Sequence, residues 1–178
     1  MSTGRTTVSG SVEAASYTTK FGSLDSYTKG GVEIINDDPR HYAFSNVFDV
    51  AQKSRPWEKV AVGKNMQYVL EAVRAEGTSP WRTCAHDEFA VCLDGEVTVE
   101  LVKLDSALLP ADAEGSIALP GDPQGQRMGR IFLKRGHQAL LPSGSAYRFI
   151  ATQTGVLLMQ TIAGPDTQFR WAEICQTV

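Results

Sequence analysis

From Met66 onward the chain reads as short apolar runs broken by Gly, Pro and Asp. Met66 to Ala75 alternates in part, with Tyr68, Leu70 and Ala72, or Val69 and Val73, available to one face. Further runs rich in Val, Ile, Leu and Phe lie at Phe89–Leu93, Glu96–Lys103, Met128–Lys134, Gln138–Leu141, Ala146–Ala151, Gly155–Ile162 and Gln168–Ile174. Short β-favouring segments punctuated by turn formers predict strands, and many of them in succession predict a sandwich or barrel. Residues 105–127, with Pro110, Pro120, Gly121, Pro123 and Gly125, read as a long connection. No internal repeat is visible.

The first third has a different texture. Residues 1–16 are rich in Ser, Thr, Gly and Ala without an apolar period, which predicts a loose tail. Tyr17, Phe21, Leu24 and Tyr27 then sit among turn formers, so this arm must lie on something apolar: its own domain or a partner subunit. Asn36-Asp37-Asp38-Pro39 has the form of a helix start, an Asx cap followed by proline. Tyr42, Phe44, Val47, Phe48 and Ala51 recur near the helical period, which predicts an amphipathic helix over 39–53, closed by Arg55-Pro56. The expected organisation is a tail over 1–16, an arm and helix over 17–58 and a barrel over 59–178.

Composition narrows the function classes. With 178 residues the chain is long enough for one core without staples, and its 17 basic against 20 acidic side chains leave no basic footprint for nucleic acid. Cys84, Cys92 and Cys175 fit neither a disulfide framework nor a Cys-x-x-Cys zinc site and read as buried thiols of a cytoplasmic protein. The N-terminus lacks the apolar core of a secretory signal, and no apolar stretch approaches the ~20 residues of a membrane span.

Glu88-x6-Gly95 and, further on, Gly136-x5-Pro142-x-Gly144 resemble the paired motifs of the cupin superfamily, jelly-roll β-barrels. Glu88-Phe-Ala-Val-Cys-Leu-Asp-Gly95 matches the Glu-x6-Gly half of the first motif. Gly136, Pro142 and Gly144 match the second, with Tyr147 where its histidine belongs. The glycines and proline make tight turns between strands. The metal-binding positions differ: the two histidines that should precede Glu88 are Arg82 and Cys84, or Trp81 and Thr83 in the longer spacing. One carboxylate does not hold Fe(II) or Zn(II), so the expectation is a metal-free barrel in which Arg82 pairs with Glu88.

A rearranged site is the rival reading. Cys84, His86 and Glu88 would share one face of an extended strand, with His137 as a fourth ligand. His41, after Pro39-Arg40, reads as a surface or capping residue. Neither a nucleophile elbow nor a phosphate loop is present. Trp81 follows Pro80, which sets an extended entry to a barrel strand and places a large aromatic near the barrel mouth. Such a tryptophan serves as a core anchor, an interface anchor or a substrate contact.

The segment from Asn65 to the end, with Pro80-Trp81-Arg82-Thr83-Cys84-Ala85-His86-Asp87-Glu88 and the long connection before Gly136, resembles the small subunit of the two-component hydroquinone 1,2-dioxygenases. The mass of 19.3 kDa and the aromatic arm agree with it. The resemblance implies an all-β cupin-type jelly-roll barrel with an N-terminal arm and one or more N-terminal helices. It implies an α2β2 heterotetramer with a larger cupin-type catalytic subunit. That subunit would hold Fe(II) and cleave hydroquinone with O2 to 4-hydroxymuconic semialdehyde. In this chain no metal and no catalytic residue are then expected. Arg82, Cys84, Glu88 and Tyr147 would be degenerate ligand positions, with Pro80 and Trp81 at the substrate pocket or interface. Two alternatives are a stand-alone cupin that binds or senses a ligand and a cupin enzyme with a rearranged metal site.

Overall fold

The computed structural model describes residues 21–38 and 44–174. The tail over 1–16, Tyr17, His41, Tyr42 and Cys175 lie outside the described residues.

Ten strands form one curled, mostly antiparallel arrangement. In chain order they are β1 (Lys59–Asn65), β2 (Tyr68–Thr78), β3 (Arg82–Cys84), β4 (Glu88–Asp94) and β5 (Glu96–Leu104), then β6 (Ser116–Ala118), β7 (Gly125–Lys134), β8 (Gln138–Leu141), β9 (Ser145–Ile162) and β10 (Thr167–Gln168). The long strand β9 ties the two halves together. Its first part, Ser145–Ile150, pairs with β5, and Ala146–Tyr147 also pairs with β3. Its second part, Val156–Gln160, lies between β2 and β4.

Strand alternation then decides what faces inward. Odd-numbered residues of β9, such as Tyr147, Phe149, Leu157 and Met159, meet Val73 and Ala75 of β2, Ala90 and Cys92 of β4 and Val97 and Val99 of β5 in one core between the two layers. Most strands fall where the apolar runs predict them. Four points differ.

The runs Ala146–Ala151 and Gly155–Ile162 belong to one 18-residue strand, not two. The polar stretch between them resembles a turn, yet the backbone stays extended across it. Close approach makes this possible: a Cβ on Gly155 would stand 2.6 Å from the Asp94 carbonyl oxygen, and one on Gly95 (φ +73°) 2.9 Å from the Gly155 Cα. Second, Gln168–Ile174 is not a strand throughout, because it supplies β10 and then a short helix, α2 (Trp171–Ile174). Third, the connection over 105–127 carries β6 and the start of β7. Fourth, β1 precedes the first predicted strand.

The N-terminal helix is also shorter than 39–53. Helix α1 spans Val47–Gln52, and its cap is Asn46, extended at φ −99° and ψ 122°, whose side chain accepts from the Phe48 and Asp49 N–H groups. Residues 44–46 are not helical and Asn46 is the cap of α1, while residues 39–43 of the predicted helix lie outside the described residues. Of the arm, Tyr27 stacks on Phe48 with centroids 5.9 Å apart, and the Leu24 N–H donates to Asp94 Oδ2 at 2.8 Å. This part of the arm packs on its own domain.

Among the described residues, helices α1 and α2 cover part of one outer sheet face, where Val50 and Ile174 pack on Val60 and Ala72. Elsewhere Leu140, Phe89 and Leu70 are exposed among the described residues, and pairing through Gln160 puts all three in one row across four strands. Among the described residues no helix is long and apolar enough to cross a membrane.

Candidate functional site

Glu88 opens β4 with its side chain pointing into the barrel and is fully buried. Tyr147 of β9 reaches it from the opposite wall, and its hydroxyl donates to Glu88 Oε2 at 2.5 Å. Burial, and then the Glu88 charge, push the Tyr147 phenol well above its ordinary range, so it remains a donor. The two segments that resemble the cupin motifs therefore meet inside the barrel at Glu88 and Tyr147.

Arg82 does not pair with Glu88. It lies opposite Tyr147 in the β3–β9 register, but its guanidinium turns to Asp166 in the loop before β10. The expected Arg82–Glu88 pair is replaced by one that sequence reasoning missed. Lys59 of β1 brings Nζ to 3.5 Å from Glu88 Oε1 and 3.0 Å from Glu71 Oε2, and donates to Ser116 Oγ at 2.8 Å. Asp166 is partly exposed and the better-hydrated partner for a guanidinium, while Lys59 is buried inside the barrel between the two carboxylates. The legible signal was Glu71, a carboxylate on the apolar side of the alternation Val69-x-Glu71-x-Val73-x-Ala75.

Cys84, His86 and Glu88 are brought together, with one donor atom of each within 4.8 Å of the others. They do not share one extended strand. β3 ends at Cys84 and β4 begins at Glu88, so the intervening bend makes the cluster. His137, the proposed fourth ligand, lies elsewhere, in the β7–β8 turn, where its Nδ1 accepts from the Lys134 N–H.

The donors of the triad are already engaged. His86 Nε2 accepts from the Ile162 N–H at 3.1 Å, the Cys84 thiol donates to the Gly115 carbonyl at 3.2 Å, and Glu88 faces Lys59 and Tyr147. Burial, then the Glu88 charge, raise the Cys84 thiol to about 11, which keeps it protonated. A thiol, a histidine bound to backbone and a carboxylate beside an ammonium do not fit an iron centre as they stand.

Trp81 lies at the start of β3, outside this interior cluster. Its indole N–H donates to Asp122 Oδ1 at 2.8 Å, and the Arg148 guanidinium stands 4.6 Å from the ring centre. Glu100 holds Arg148 at 2.7 Å and Arg130 at 2.9 Å, and the Arg148 hydrogen bond is the largest cause of its lowered carboxyl pKa. Together with Arg127 these groups line an open cleft of about 370 Å³. Pro80 is exposed beside it and borders a second cleft with Arg82 and Asp166.

A two-layered β-barrel whose two motif segments join through Glu88 and Tyr147 defines a cupin-type jelly roll. No family model matches the chain, and no curated protein matches it. Among solved structures it is similar to a chain of hydroquinone 1,2-dioxygenase PnpCD in complex with Cd2+ and 4-hydroxybenzonitrile. The identity is 55%, the match covers 93% of this chain and 100% of that chain, and the TM-score is 0.87. It is likewise similar to a chain of hydroquinone 1,2-dioxygenase from Sphingomonas sp. TTNP3 with 4-hydroxybenzoate bound, 56% identical over 91% of this chain and 99% of that chain, with a TM-score of 0.87. The chain belongs to the hydroquinone 1,2-dioxygenase family, as a subunit of such an enzyme.

A structure of PnpCD in complex with Fe3+ holds a different chain that shares the fold at 13% identity and a TM-score of 0.57. The match covers 80% of this chain and 40% of that chain, which is therefore about twice as long. PnpCD thus contains two kinds of cupin-type chain.

Proposed function

We propose that this chain is the small, non-metal-binding subunit of a two-component hydroquinone 1,2-dioxygenase. In this reading it works in the cytoplasm as an α2β2 heterotetramer with a larger cupin-type subunit. That subunit holds Fe(II), which supplies O2 activation for the ring cleavage of hydroquinone to 4-hydroxymuconic semialdehyde. The observation that carries the reading is the 55% identity, over the whole length of the related chain, to a component of PnpCD. The interior of this barrel supports the division of labour, since Glu88 is already engaged by the Lys59 ammonium and the Tyr147 hydroxyl.

The small subunit's contribution is assembly and pocket shape. Ring cleavage needs a dry site, and a subunit that covers the pocket mouth excludes water. Trp81, presented by Pro80 and braced by Asp122 and Arg148, offers a flat apolar face for a phenol or for the partner. The exposed row of Leu140, Phe89 and Leu70 is consistent with a covered surface in an assembly.

The test is co-expression with the larger chain from the same source. The expected result is a complex of both chains with iron and ring-cleaving activity towards hydroquinone, while this chain purified alone is inactive. The second reading, a chain with its own metal, rests on the proximity of Cys84, His86 and Glu88. Stoichiometric iron or manganese in this chain purified alone would establish it and overturn the first.

A further inference from the structure

Four strands deliver one polar group each to a single point inside the barrel: Lys59 from β1, Glu71 from β2, Glu88 from β4 and Ser116 from β6. All four residues are buried, at 4%, 0%, 0% and 1% exposure. Two carboxylates face one ammonium, so their formal charges leave an excess of negative charge in a medium that penalises it strongly.

The two carboxylates are arranged alike. One oxygen of each is held from behind, Glu71 Oε1 by the Thr167 hydroxyl at 2.7 Å and Glu88 Oε2 by the Tyr147 hydroxyl at 2.5 Å. The other oxygens, Glu71 Oε2 and Glu88 Oε1, accept no aligned hydrogen bond and converge on Lys59 Nζ as ion pairs only. Carboxylates oriented by hydroxyl donors, with their remaining oxygens aimed at one point, are the way proteins present ligands to a cation. Ser116 Oγ adds a third oxygen at that point.

We propose that the Lys59 ammonium stands where these oxygens would otherwise hold a divalent cation, and that Lys59 bars a hard metal ion such as Mn(II) from this barrel. The ligands are Glu71 Oε2, Glu88 Oε1 and Ser116 Oγ, completed by water in the space the lysine vacates. An all-oxygen set of this kind suits Mn(II) rather than a thiophilic ion. The proposal concerns the buried cluster alone and does not depend on the dioxygenase reading.

The test uses the purified full chain, in whatever assembly it is obtained, with Mn(II) as the probe. Binding is read from the loss of the free-ion EPR signal and expressed relative to wild type. Lys59→Ala is expected to gain about one Mn(II) per chain over wild type and to be stabilised by it, and K59A/E88Q to lose that gain. A K59A chain that folds only with Mn(II) present also supports the site. The proposal is overturned if folded K59A takes up no more Mn(II) than wild type, or if K59A stays unfolded at saturating Mn(II). Wild-type chain that binds Mn(II) and loses it on Glu88→Gln equally overturns it.

Discussion

The Tyr147 hydroxyl donates to Glu88 Oε2 across 59 residues of sequence, through a 2.5 Å hydrogen bond with both side chains out of water. The two residues come from the two segments that resemble the cupin motifs, so this hydrogen bond joins those segments inside the barrel. Removing the hydroxyl leaves Glu88 Oε2 buried without its donor. Tyr147→Phe is expected to cost about 1–3 kcal/mol, measured as a lower urea midpoint with an unchanged denaturant slope.

Gly155 is a packing requirement. Its absent Cβ would lie 2.6 Å from the Asp94 carbonyl, and the backbone on both sides is part of a ladder. Gly155→Ala should destabilise the chain by about 1–3 kcal/mol, as overpacking does elsewhere. Gly121→Ala, where nothing lies within 4 Å, serves as the control and should leave the thermal midpoint in place.

Asp94 clasps the arm to the barrel. It accepts from the Leu24 and Gly95 N–H groups at 2.8 and 3.0 Å and pairs with Arg135 at 2.5 Å. Burial alone would raise its carboxyl, but these donors outweigh burial and the net shift is downward. A depressed folded-state pKa means that the unfolded chain binds the proton first as pH falls. The stabilisation is therefore complete above the unfolded value, near 3.8, and is lost as pH drops through the lower folded value. Asp94→Asn should lower stability at pH 7 and flatten its fall between pH 5 and 2, as followed by urea midpoints across that range.

Trp81 tests the pocket role. In the two-component complex, Trp81→Ala is expected to raise KM for hydroquinone or weaken assembly, with a fall in kcat/KM of roughly tenfold or more, equivalent to about 1.4 kcal/mol. Arg148→Met removes the cation over the indole and its tie to Glu100, and should produce a smaller effect in the same direction. Wild-type assembly, KM and kcat in Trp81→Ala would remove Trp81 from the pocket.

Thus the linear chain determined the class of fold and marked the two segments that meet at Glu88 and Tyr147. Short β-favouring runs marked the barrel strands, and the Glu88–Gly95 and Gly136–Gly144 spacings placed its turns, because strand alternation and turn chemistry act between near neighbours. The departures at Arg82, Cys84 and Tyr147 could be read off directly. Which charge answers Glu88 was a tertiary decision. The register of β1 against β2 and the curl of β9 bring Lys59, Glu71 and Ser116 to it from distant segments, and send Arg82 to Asp166 instead. Helix α1, Val47–Gln52, likewise takes Asn46 as its cap. Long-range pairing depends on how the sheets close, and no local period in the sequence encodes that.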